Sequence, residues 1–232
     1  MALGNAGLGG STPQMNRLPE VAGSKALFHS VRDIAIILDK TAKAGYGVIK
    51  QGTLCGVNSV DGKLVPYPTT DPTHSLTSGR AFIVTDLVNA TKLVYVTVAD
   101  SYKFAVGDSL IIDRNNATAQ DPLDLGAITA IDRTTAVNRA TITVTTNITG
   151  ANHTVANSAS CYVKTDASTP WTKVIYVVDQ DIDTGTGSDA KGANTSVVLS
   201  NAALYKFALT NYDAAALADL GGVVDGRLVI LK

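Results

Sequence analysis

Residues Gly52–Pro68, "GTLCGVNSVDGKLVPYP", decide how the fold is read. Two short half-apolar runs flank Asp61-Gly62, and the second run ends in Pro66 and Pro68. Asp-Gly between such runs predicts two antiparallel strands joined by a two-residue turn, because a type I′ turn needs positive φ at both central residues. Proline has no N–H to give to a ladder, so the second strand is expected to end at these prolines or to lie on an edge.

Upstream, "ALFHSVRDIAIIL" from Ala26 to Leu38 has strand character, and "DKTAKAGYG" reads as a polar connection to the hairpin. Downstream, "TTDPTHSLTSG" is a loop. Between Arg80 and Asp166 the texture changes to short runs at close spacing: "AFIVTDL", "KLVYVTV", "SLIID", "AITAID" and "ATITVTT". That cadence predicts a small antiparallel barrel or sandwich, and its strand rhythm resembles SH3-like barrels. "KVIYVVDQDID", from Lys173, is a fully apolar strand running into an Asp-rich turn, and "TSVVLSNAALYKFAL" returns to strand. Asn211 or Asp213 can cap a helix with Ala216, Leu217 and Leu220 on its apolar side, stopped by Gly221-Gly222. "GRLVILK" closes the chain as a strand.

Composition agrees with a mainly β fold. Charged residues make up only 17%, and Glu20 is the one glutamate among the acidic residues. Helical surfaces favour Glu, whereas Asp favours turns and caps. A net charge of −1, with Lys and Arg scattered singly, gives no electrostatic footprint for nucleic acid or an anionic membrane. Residues 1–24 are rich in Gly, Ser, Asn and Pro, with neither the basic start nor the apolar stretch of a signal peptide. They are expected to form a flexible arm that orders on a partner, for instance by adding a strand to a sheet edge.

Little in the chain resembles an active site. His29, His74 and His153 are isolated and read as surface or loop residues, and no nucleotide, hydrolase or metalloprotease motif is present. Asp179, Asp181, Asp183 and Asp189 alternate as calcium ligands can, but Thr184 and Ala190 stand where an EF-hand needs Gly and Glu. Turn chemistry explains the same residues. Cys55 and Cys161 read as buried free thiols, and Trp171 as a core residue. Neither a cofactor nor a metal is expected. Asp108 and Asp132 are the carboxylates an unrecognised hydrolase would use, without any motif to support one.

"GYGVIKQGTLCGVNSVDGKLVPYP" resembles the start of the core of lambda-type bacteriophage head decoration proteins, which runs through "G-x-L/V-x-G", a turn with Gly, and "K-L/Y-x-P-Y". "KVIYVVDQDID" and "TSVVLSNAALYKFALTNYDAAALADLGGVVDGRLVILK" are similar to that family's later strand and its closing strand, helix and final strand. The resemblance covers roughly residues 25–75 and 167–232. It departs from the compact family core by the stretch between them and by a longer leader.

The resemblance implies a fold that is mainly β with a short C-terminal helix. A discontinuous decoration core, 25–79 and 167–232, would carry an inserted β domain at 80–166. It implies a capsid cement protein without enzymatic activity, on the outer surface of the virion and made in the host cytoplasm. Its partners would be the major capsid protein and itself, as a homotrimer at threefold and quasi-threefold positions, with no nucleic acid or membrane. Leu18, Val21, Leu27 and Phe28 would supply the capsid-binding arm. Gly52, Gly56, Asp61, Gly62, Pro66 and Tyr67 would shape the hairpin of the core. In the alternative reading the core is an anchor, and Tyr95, Tyr102, Phe104 and Tyr162 on the inserted domain form a platform for a host-surface glycan.

Overall fold

The structure, a computed structural model, describes residues 27, 35–69, 79–114, 122–150, 153–166, 172–200, 202–222 and 228–231. The fold is mainly β, as the composition implies. Its first unit is a closed five-stranded barrel. It is built from β1 (Ile36–Ala42), β3 (Leu54–Val57) and β4 (Leu64–Pro66), with β11 (Tyr176–Val178) and β13 (Ala193–Ser200) from the far end of the chain. The order around the wall is β1-β13-β11-β3-β4. The barrel closes through one parallel pair, Ala42 with Leu64, reinforced by the Lys43 N–H donating to the Leu64 carbonyl at 2.9 Å. A two-stranded patch of β2 (Val48–Ile49) and β12 (Ile182–Asp183) lies beside it.

The second unit is a six-stranded sheet in the order β5-β10-β7-β8-β9-β6, drawn entirely from residues between the two halves of the barrel. Its strands are β5 (Ala81–Phe82), β6 (Leu93–Val96), β7 (Ser109–Asp113), β8 (Leu123–Asp132), β9 (Ala140–Val144) and β10 (Ser160–Val163). An Ile83–Val96 bridge joins the two ends of this order, so the sheet curls into a half-barrel. A single helical turn, α1 (Val98–Ser101), follows β6, and the Thr97 hydroxyl caps it by accepting the Asp100 N–H at 3.0 Å.

The barrel wall separates two cores. In β3, β11 and β13, Cys55, Tyr176, Val178 and Val197 belong to a large cluster, while the alternate residues Leu54, Val177 and Val198 belong to a smaller one. Strands buried on both faces read as unbroken apolar runs, which is why "KVIYVV" lacks alternation. The large cluster continues from Ala42, Tyr46 and Leu64 of the barrel unit into Val94, Leu110, Ile112 and Ile142 of the curled sheet. The smaller cluster is covered by Leu27, by β14 (Ala202–Tyr205) and by α2 (Ala214–Gly222). β14 pairs in parallel with β15 (Leu228–Leu231).

Asp213, not Asn211, caps α2: its Oδ1 accepts the Ala216 N–H at 2.9 Å and its carboxylate also accepts the Tyr67 hydroxyl at 3.1 Å. Ala216 and Leu220 are buried and Leu217 half-buried, as expected. Asp213→Ala is expected to lower stability by about 1–2 kcal/mol through the lost cap, read as a shift in the urea midpoint at constant slope.

Two local expectations are corrected. β1 runs on through Asp39, Lys40 and Thr41, whose polarity predicts a connection. The strand is half-exposed, so polar side chains fit its outer face. The hairpin turn is not a two-residue type I′ turn on Asp61-Gly62. Asn58 N–H donates to the Lys63 carbonyl at 2.8 Å, leaving a four-residue turn, Ser59–Gly62, in which only Gly62 has positive φ (+72°). β4 does end at Pro66.

Candidate functional site

The hairpin is where the inserted module is seated. At its start, Gly79 packs so close to Pro66 that an added Cβ would lie 2.3 Å from the Pro66 carbonyl oxygen, and Arg80 Nε donates to the Pro68 carbonyl at 2.7 Å. At its end, the Ser59 N–H donates to the Lys164 carbonyl at 3.1 Å. There Gly56 faces Thr165 and the Lys173 carbonyl, with room for no Cβ. Both ends of the insertion therefore meet one β3–β4 hairpin, the arrangement under which a loop accepts a folded module.

Charged groups buried along this seam tie the two units together. Lys43 Nζ lies 3.0 and 2.9 Å from the two Asp108 carboxylate oxygens, and Lys43 and Asp108 are only 5% and 2% exposed. Asn58, 1% exposed, donates through Nδ2 to Asp108 at 2.9 Å and to Asp61 at 2.6 Å. Asp61 also lies 3.6 Å from Lys43 and 3.1 Å from Lys63. Partial burial pushes the Asp61 carboxyl up, but hydrogen bonds from Lys63 and the charges of Lys43 and Lys63 outweigh it and hold it below the usual carboxylate range. Tyr46 sits in the same region. Burial first, and then the Asp108 charge, push its phenol well above its ordinary value.

A second group lies where the module begins. Arg80 bonds Asp113 and Ser160 Oγ, both at 2.8 Å, and its guanidinium stacks over Tyr162 at 5.1 Å. Lys103 bonds the Arg80 carbonyl at 2.8 Å and Asp100 at 2.7 Å. Ion pairs taken out of water contribute little net stability over an apolar core, but removing one partner strands the other. The bonds that cross between the units are those of Lys43 and Asn58 to Asp108 and of Arg80 to the Pro68 carbonyl, while the rest of the Arg80 group lies within the module.

The expected site residues fall unevenly. Gly52, Gly56, Asp61, Gly62, Pro66 and Tyr67 come together on and around the hairpin, facing the module on one side and α2 on the other. Leu18, Val21 and Phe28 lie outside the described residues, as do His29, His74 and Trp171. Leu27 is corrected as an arm contact: it is 2% exposed in the chain's own smaller core, and its carbonyl accepts the Tyr205 N–H at 3.1 Å. His153 is buried and not a surface residue.

Packing buries two of the four aromatics offered as a glycan platform. Phe104 and Tyr162 are core residues, while Tyr95 and Tyr102 are half-buried beneath Arg139 and Arg133 at 4.8 and 4.3 Å. Asp108 belongs to the seam, and Asp132 accepts the Thr134 and Thr135 N–H groups of its own turn.

Of the alternating aspartates, Asp183 serves its own turn by accepting the Gly185 N–H, whereas Asp181 reaches across to Lys50 and the Gln51 N–H. No group of three metal-ligating side chains occurs among the described residues. Cys55 and Cys161 are both buried and free, and burial pushes the Cys161 thiol up to about 12. No described helix is long and apolar enough to cross a membrane. Compared with protein-family models, with curated proteins and with solved structures, the chain matches none.

The seam residues missed by sequence reasoning are Lys43 and Asn58. Asn58 carries a recoverable signal: an Asn just before a turn, three residues ahead of Asp61, is placed to bond that turn through its side chain.

Proposed function

We propose that this chain is a virion structural protein that binds the outer surface of a phage capsid. It would do so as a homotrimer at threefold and quasi-threefold positions, and stabilise the expanded head. The observation that carries the reading is the polarity of the barrel. Leu27 fastens the leader side of the chain to the smaller core, and the inserted module shares the larger core on the opposite face of β3, β11 and β13.

A cement protein needs this arrangement. One side meets the shell while the other can carry bulk outward, and a rigid seam passes load between them. The resemblance of residues 25–75 and 167–232 to lambda-type decoration proteins supports the same reading. Residues 1–24 would contact the shell, and three such contacts per trimer would add their binding by avidity.

Co-sedimentation with expanded phage heads tests it, using the full chain and a version lacking residues 1–24. The full chain is expected to pellet with the heads at saturating stoichiometry, and the truncated version to lose most of that binding. Binding that survives truncation would move the contacts to the barrel. No binding by either would overturn the capsid role.

A further inference from the structure

The set Lys43, Asn58 and Asp108 holds more than an ion pair requires. Lys43 and Asp108 alone would satisfy each other's charge, yet a buried carboxamide is locked between them and a second carboxylate. A single oxygen, Asp108 Oδ1, lies 3.0 Å from Lys43 Nζ and 2.9 Å from Asn58 Nδ2. The other Asp108 oxygen accepts the Ala105 N–H at 2.7 Å, which holds the carboxylate in place. The Asn58 amide is oriented at both ends: Nδ2 faces Asp108 and Asp61, and Oδ1 accepts the Val60 N–H at 3.1 Å.

These are the parts of an acyl-transfer site. The amine of Lys43 is the nucleophile and the Asn58 carboxamide the electrophile. Asp108 is a base within reach of both the attacking and the leaving nitrogen, and a backbone N–H stands where negative charge would develop. Burial excludes water, and a shared contact with Asp108 Oδ1 gathers the amine and the carboxamide at one point.

We propose that Lys43 and Asn58 join in an intramolecular isopeptide bond, with Asp108 as the proton shuttle. Asp108 takes a proton from the Lys43 ammonium, and the freed Nζ adds to Asn58 Cγ, placing charge on Oδ1 opposite the Val60 N–H. Asp108 relays the excess proton of Nζ to Nδ2, the Cγ–Nδ2 bond breaks, and ammonia departs beside Asp61. With the first proton returned, one lysine ammonium and one carboxamide become one secondary amide and one ammonium ion. One C–N bond forms and one breaks, with no oxidant, reductant or cofactor. The product would tie the residue after β1 to the β3–β4 turn, beside the single Ala42–Leu64 pair that closes the barrel.

Mass spectrometry of the denatured full-length protein tests this. The chain is expected to be about 17 Da lighter than its sequence, one ammonia, after allowance for N-terminal processing. Tryptic digestion should leave the bond after Lys43 uncut and give one branched peptide joining Lys43 to Asn58. Lys43→Arg keeps the charge opposite Asp108 without an amine able to form the amide, and should show the full sequence mass. Asp108→Asn should slow or abolish the loss. The sequence mass in folded wild-type protein after prolonged incubation, with linear peptides, would overturn the proposal. So would the same loss without a branched peptide (a succinimide at Asn58), or a loss of about 18 Da, one water, with the link at Asp108.

Discussion

Asp108→Ala is expected to cost about 3–5 kcal/mol of folding stability, the usual penalty for stranding the partner of a buried ion pair. Lys43 would lose both of its closest oxygens, and only Asp61, 3.6 Å away and partly exposed, would remain near its ammonium. Asn58 would lose one of its two acceptors and the Ala105 N–H its carboxylate partner. The loss should appear as a lower urea midpoint with the slope unchanged. The sign is the same if Lys43 and Asn58 are joined in the wild type, because the variant would then lack the bond and leave Lys43 an ammonium without Asp108. A change below about 1 kcal/mol would show that the seam is wet, with solvent and not Asp108 satisfying Lys43.

Gly52→Ala is expected to be comparably severe, at about 2–5 kcal/mol. Gly52 has φ +82°, and a Cβ there would stand 2.0 Å from the Ala208 carbonyl oxygen. The left-handed backbone costs roughly 1–2 kcal/mol for a residue with a side chain, and forcing an atom into packed backbone costs roughly 1–3 more. Relief by movement is difficult, since the Gly52 N–H donates to Val178 at 2.8 Å and its carbonyl accepts from Thr210 at 2.9 Å. Gly62→Ala is the control. Gly62 also has positive φ, but nothing lies within 4 Å of its missing Cβ, so only the conformational part, roughly 1–2 kcal/mol, is expected. Equal losses at the two positions in chemical denaturation would mean that the Ala208 turn gives way.

The existence of the hairpin was legible because half-apolar runs around Asp-Gly leave few alternatives; its turn was not. The tie between Asn58 and the module joins residues 50 positions apart, and no local pattern encodes that. The strand at Tyr176–Val178 was legible because both its faces are buried, although it begins later than the apolar run from Lys173 suggests. β1 was cut short because Asp39, Lys40 and Thr41 look like loop residues when the outer face of a barrel strand is polar. Helix α1 was missed beneath β-branched neighbours, although Thr97 followed by Asp100 is a capping signal.

Of the candidate site, the glycines and prolines could be named because each is demanded by backbone geometry. Lys43 could not, since a lysine after "DKTA" looks solvated until the fold buries it, and Asp108 was legible only as a carboxylate without a motif. Tyr162 and Phe104, offered as part of a glycan platform, are buried, in keeping with their alternation with apolar residues.

The order of strands around the barrel also sets a schedule for synthesis. β1, β3 and β4 leave the ribosome before the module, and β11 and β13 only after it, so the wall cannot close until nearly the whole chain has been made. The module's six strands are contiguous in sequence and can pair earlier, as lower contact order favours. At about 5–20 residues per second, the early hairpin waits many seconds for its missing neighbours. The insertion is thus expected to act as a brace for the strands that precede it, holding their hairpin through Asn58 and Ser59 until the last part of the barrel arrives.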